Sequence, residues 1–216
     1  MTFSNTHLKA IEIETERRLS AKTRFDPYAK SLWDNALNSA YLDDNLTMQK
    51  AYSFAKRLEY KHKGLTKDVY FSHPLRVSSL SVLFNDYGKS ELSVIGLLHN
   101  VFEVTDLRKS ELEAFFSKDI VNKISTLTVN RELQWDFDYK KLYYQSIRDA
   151  GRAVMIVKIF DKLDNLFLLH LNKNNEIKTK YIYEVERFLL PMVDEEIPIL
   201  LEYMKSLIKR ASLSIS

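Results

Sequence analysis

The chain contains no cysteine. Disulfides, thiolate metal sites and cysteine nucleophiles are therefore excluded, and a reducing compartment suits the protein. Glycine and proline are nearly as scarce, four of each in 216 residues. That scarcity argues against a loop-rich or all-β protein and for long helices. A bilayer-spanning apolar run is missing too. The most apolar segment, AVMIVKIFDKLDNLFLLHL, is interrupted by Lys158, Asp161, Lys162 and Asp164, so it reads as a buried core helix. The N-terminal MTFSNTHLKAIEIETERR is too charged for the apolar region of a secretion signal. Nor is there a strong charge imbalance: the net charge is +3, with no block of five or six like charges. Nucleic acid and membrane are not expected partners, and a cytoplasmic setting is expected.

What remains is ordinary globular composition, 45% hydrophobic and 28% charged, in a chain long enough for one sizeable core. Helical periodicity and capping signals divide it as follows. A first helix covers about residues 5–21, with Leu8, Ile11 and Leu19 apolar. Asp26 followed by Pro27 opens a second, to about Tyr41. DDNLT reads as a turn, and a third helix at about 47–63 carries Ala51, Phe54, Ala55 and Leu58 and stops at Gly64. Ser72 caps a helix containing His73 and Pro74, with Gly88 as its stop. Ser90 caps the next, and Ser110 to Glu113 form a capping box. Helices at about 119–128, 139–149, 152–172 and 176–190 follow, the last kinked or ended by Pro191, before a final helix near 197–211. No strand or repeat is evident. The expected fold class is all-α.

The stretch IGLLHNVFEVT, residues 95–105, is apolar on most sides. Its exceptions, with Ser93, are Gly96, His99, Asn100 and Glu103, at steps of three and four along one stripe. The helix at 152–172 repeats the design with Lys158, Asp161 and Asn165. SHPLRV adds His73 and Arg76. Buried polar groups need partners, and two histidines with an aspartate on three helices suit a hard or borderline divalent ion. Water activated there would cleave a phosphate ester. Each residue also has a plainer reading: a core histidine held by hydrogen bonds, Asp161 paired with Lys158 or Lys162, Asn165 bonding between helices. Spacing within helices does not show that the three helices meet.

In their order, these segments resemble the HD-domain hydrolases of the RelA/SpoT type, including small stand-alone forms. AYSFAKRLEYKHKGLTKDVYFSHPLRVSSL is similar to that family's Ala-rich helix, His-x-Gly turn and Tyr-x-x-His-Pro segment. IGLLHNVFEVT is similar to A-L-L-H-D-x-x-E-D-T, and VMIVKIFDKLDNL to K-x-x-D-R-x-x-N. The resemblance covers about residues 48–200 and implies an HD-type helical bundle over 46–216; residues 1–45 lie outside it and read as a helical extension. It implies a metal-dependent phosphohydrolase that removes pyrophosphate from (p)ppGpp, usually with Mn²⁺. It makes His73, His99, Asn100 and Asp161 metal ligands, and Glu103 and Asn165 catalytic. Lys67, Arg76, Lys158, Lys162 and Tyr143 become candidates for substrate binding, Tyr143 and Tyr144 being able to stack on a base.

Two departures fall in one motif. Asn100 stands where the family has its ligand aspartate, and Val104 where it has a second carboxylate. Asparagine offers a metal a carbonyl oxygen but no charge. Asp164 and Asp106 are possible substitutes whose positions read as surface. The segment between Gly64 and His73 is short, and Lys162 sits where arginine is usual. The alternative reading is a catalytically inactive HD-fold protein that binds a nucleotide or a protein partner.

Overall fold

The computed structural model describes residues 5–20, 26–62, 65–86 and 88–215, and among them there are helices, turns and no strand. The α-helices are α1 (Asn5–Ser20), α2 (Pro27–Asn38), α3 (Leu42–Arg57), α4 (Lys67–Leu83), α5 (Lys89–Leu98), α6 (Val101–Val104), α7 (Lys109–Glu113), α8 (Lys118–Thr126), α9 (Phe137–Asp149), α10 (Arg152–Leu169), α11 (Asn175–Glu184), α12 (Leu190–Glu196) and α13 (Leu201–Leu213). The all-α expectation holds.

Several boundaries differ from the sequence reading, each for a local reason. Asp26 caps α2 as expected, its Oδ1 accepting from the Tyr28 and Ala29 amides at 3.0 and 3.2 Å. DDNLT is no turn: it is the first turn of α3, where Asp43 and Asp44 meet the positive end of the helix dipole. That helix ends at Arg57; Gly64 and the Leu19 side chain lie outside the described residues. Ser72 does not begin α4, which starts five residues earlier at Lys67. Its hydroxyl instead accepts from the Asp26 amide at 3.2 Å, and Pro74 is inside the helix. Gly88, with φ of +62°, caps the start of α5 in place of Ser90, while α4 has already ended at Leu83. The box at α7 lies two residues before the expected one, with Glu111 Oε2 accepting from the Arg108 amide at 2.8 Å. Near Pro191 a π-helical turn, Val185–Leu189, separates α11 from α12.

The core is built around α4, α5 and α10, which pack against one another, with α2 on α4, α3 on α5 and α1 on α10. Trp33, Leu75, Ile95, Phe160 and Phe167 are buried within it. Leu8 and Ile11 of α1 and Leu32, Trp33 and Ala36 of α2 belong to the same continuous apolar cluster, so these two helices pack against this core.

The approach of α4 to α5 depends on Gly96. A Cβ there would lie 2.6 Å from the Ser78 Cα, too close for any real side chain, and a hydrogen bond from Ser78 Oγ to the Ser93 carbonyl at 3.1 Å closes the crossing. This contact sets the separation of the helices that carry His73 and His99. Gly96→Ala is expected to destabilise the protein by about 1–3 kcal/mol or more. Urea unfolding would read this as a lower midpoint with unchanged slope; an unchanged midpoint would mean that the helices do not cross this closely.

Candidate metal centre and its cavity

His73 comes from the middle of α4, His99 follows the last residue of α5, and Asp161 lies at the centre of α10. The structure brings them together. His73 Nε2 is 3.2 Å from His99 Nε2 and 3.4 Å from Asp161 Oδ1, and His99 Nε2 is 3.5 Å from the same oxygen. Among the described residues they form a group whose ligand atoms lie within 4.8 Å of one another. Ligands about 2.1 Å from a cation, at roughly right angles, stand about 3 Å apart. The triangle therefore fits a divalent ion on two nitrogens and an oxygen, a donor set suited to first-row metals.

The surroundings aim these atoms. His99 Nδ1 donates to the Gly96 carbonyl at 2.8 Å, which turns Nε2 toward the cluster. Asn165 Nδ2 donates to Asp161 Oδ1 at 3.0 Å and to its carbonyl at 2.8 Å. Lys158 Nζ donates to Asp161 Oδ2 at 2.9 Å. Burial opposes ionisation of Asp161, yet the Lys158 charge and the two histidines outweigh it and hold the carboxyl well below its usual range. Asn165 thus positions Asp161 from within its own helix.

Asp164 overturns the surface expectation: it is 3% exposed. Its Oδ2 lies 2.7 Å from His73 Nδ1. Arg76 donates to it twice, from Nε at 2.6 Å and Nη2 at 2.9 Å, and from Nη1 to Asp26 Oδ2 at 2.9 Å. Arg76 borders the cavity, but its guanidinium is committed to these carboxylates. Burial would lower the His73 pKa, but hydrogen bonds to Asp161 and Asp164 prevail and raise it to about 9. Asp106, as expected, is exposed, and it pairs with Lys61.

Asn100 lies where the helix breaks between α5 and α6. Its Nδ2 donates to Tyr70 Oη at 3.3 Å and lies 3.4 Å from His73 Nε2, beside the cluster and without charge. The same break removes His99 and Glu103 from one continuous stripe. Glu103 turns to the segment after α8, where Oε1 accepts from the Val129 amide at 2.9 Å and Oε2 lies 2.5 Å from Arg131 Nη2.

These groups open onto a cavity of about 680 Å³ whose wall includes His73, Glu103, Asp161, Lys140, Lys158 and Lys162. Lys140 and Lys162 donate to one oxygen of Glu184, each at 2.8 Å, and Tyr144 Oη donates to the same atom at 2.8 Å. Burial and the nearby Lys162 lower Lys140 to about 8. Burial likewise lowers Lys162. Glu184 resists its own burial through Lys162 and Lys140 and falls to about 2. Trp135 and Tyr181 add aromatic wall.

Two predicted substrate residues are not brought here. Lys67 bonds to Glu59 and the Arg57 carbonyl, and Tyr143 is buried with Oη on the Leu127 carbonyl; neither lines the cavity. Sequence reasoning missed Lys140, Glu184, Trp135 and Tyr181. Lys140 and Glu184 lie in amphipathic helices where charged residues read as solvated faces, and only the packing of α9 and α11 around α10 buries them.

No family model matches the chain. Similar curated proteins are the guanosine-3′,5′-bis(diphosphate) 3′-pyrophosphohydrolases of Borreliella burgdorferi and Aquifex aeolicus, 26% and 27% identical over 158 and 145 residues. Those alignments span 68% and 65% of this chain but 23% and 18% of the relatives. A GTP pyrophosphokinase rsh of Brucella melitensis is 27% identical over 60% of this chain and 18% of its own length. The chain therefore spans less than a quarter of the curated relatives it matches. Among solved structures, a metazoan ortholog of SpoT that hydrolyses ppGpp superposes with a TM-score of 0.60 at 20% identity. That match covers 81% of this chain and 98% of the other and establishes the shared fold. With three motifs in order and a shared all-α fold, the chain is similar to the RelA/SpoT-type HD-domain hydrolases.

Proposed function

We propose that the chain is a divalent-metal-dependent phosphohydrolase acting on a guanine nucleotide with a 3′-pyrophosphate, (p)ppGpp or a similar phosphoester. One observation carries the reading: His73 and Asp161 of the His73–His99–Asp161 cluster line one cavity together with three buried lysines. Metal ligands beside buried cations match a polyanion whose phosphate must meet both. The relatives named above as guanosine-3′,5′-bis(diphosphate) 3′-pyrophosphohydrolases support the same substrate class. A cysteine-free chain also suits the cytoplasm, where such nucleotides are found.

In this reading His73, His99 and Asp161 hold the cation, Mn²⁺ being favoured by the resemblance, and Asn100 borders it with a neutral amide. The bound ion would supply Lewis acidity toward a phosphate oxygen and toward water. Lys158 keeps Asp161 ionised, which preserves its affinity for cations. Lys140 and Lys162, which line the same cavity, attract the phosphates at low local dielectric. Glu103 is the carboxylate left in a motif that has lost its partner to Val104. Its Oε1 is fixed by the Val129 amide, so it is poised to orient water and accept a proton. Asn165 acts by orienting Asp161.

Metal-stripped protein supplied with Mn²⁺ and ppGpp should release pyrophosphate. Glu103→Gln should lower kcat by roughly 10²–10⁴-fold without changing Mn²⁺ affinity; an unchanged kcat would remove Glu103 from the chemistry. Saturable nucleotide binding with no turnover would replace this proposal by the inactive, ligand-binding HD reading.

The His73 environment gives a pH prediction. With a pKa of about 9, His73 is imidazolium at pH 7, and metal binding must displace that proton. About one proton should be released per ion, and affinity should rise about tenfold per pH unit between pH 7 and 9. Calorimetry in buffers of different ionisation enthalpy measures this. No proton release would contradict a protonated His73 that the ion must displace.

A further inference from the structure

Asn100 puts a neutral amide at the cation's edge, yet a second carboxylate does reach the cluster from behind. Asp161 and Asp164, one turn apart on α10, flank the same imidazole. Asp161 Oδ1 is 3.4 Å from His73 Nε2, and Asp164 Oδ2 is 2.7 Å from Nδ1. We infer that Asp164 compensates for the charge that Asn100 lacks, as a positioning residue that acts on the cation through His73, and that Arg76 and Asp26 lock it in place. This rests on the metal-site reading above.

The lock is closed at every atom. Arg76 binds Asp164 through Nε on Oδ1 and Nη2 on Oδ2, a two-point fork that fixes the plane of the carboxylate. Oδ2 therefore cannot rotate away from His73. The third donor, Nη1, goes to Asp26 Oδ2, while the other oxygen of Asp26 caps α2. The Asp26 amide returns to α4 at Ser72, the neighbour of His73. One guanidinium stands against two carboxylates, so the assembly presents a net unit of negative charge to the imidazole. A carboxylate on the far nitrogen of a ligating histidine fixes its tautomer and makes the near nitrogen a better donor.

The test is Mn²⁺ affinity by calorimetry on the metal-stripped 216-residue chain, with folding checked by circular dichroism. Asp164→Asn keeps the shape and removes the charge; the expected result is a Kd weaker by about 10–100-fold. Adding Asn100→Asp should return much of that affinity, a rescue that a merely structural role would not give. If Asp164→Asn fails to fold because Arg76 is left uncompensated, Arg76→Met with Asp164→Asn removes both charges and should show the same loss. A folded variant with wild-type Kd overturns the inference alone. A wild-type protein that binds no Mn²⁺ overturns the metal-site reading, and the inference falls with it.

Discussion

A single ionised carboxylate buried in the middle of α10 organises this molecule. Asp161 cannot stay charged in an apolar core unless its neighbours compensate, since a bare buried carboxylate would take up a proton. Lys158, one turn earlier, neutralises one oxygen, and Asn165, one turn later, aims the other. The aimed oxygen meets two imidazole nitrogens carried by α4 and α5. Those helices can approach closely because Gly96 has no side chain to hold them apart. The apolar packing of α4, α5 and α10 therefore does two things at once. It stabilises the fold, and it sets three polar atoms at the separations a cation requires.

Around that centre, charge is arranged in pairs that almost cancel. Arg76 is shared by Asp26 and Asp164, and Glu184 is shared by Lys140 and Lys162. The first set leaves negative charge behind His73; the second leaves positive charge on the cavity lining. Each incomplete cancellation is costly in a dry interior unless a ligand completes it. A cation at the cluster and a phosphate group beside the lysines would complete both, so the polarity of the cavity and the proposed substrate class follow from the same accounting.

Helical periodicity made most of the fold legible in the sequence, because scarce glycine and proline left few breaks. The convergence of His73, His99 and Asp161 was legible through motif order, while spacing alone stopped at single helices. Other features were hidden by what determines them. The Asp164 surface reading failed because its partner Arg76 lies on another helix, 88 residues away. Glu103 left the His99 stripe because the helix breaks at Asn100, which periodicity does not reveal. Lys67 and Tyr143 find local partners instead of the cavity. Tertiary pairing, more than local propensity, decided each of these.

The most direct measurement is the stoichiometry of Mn²⁺ binding to chelator-stripped protein, beside a His99→Ala control. This account predicts one saturable site per chain that the control lacks. Absence of a saturable site, or a site that survives loss of His99, would contradict the claim that these three side chains form a metal centre.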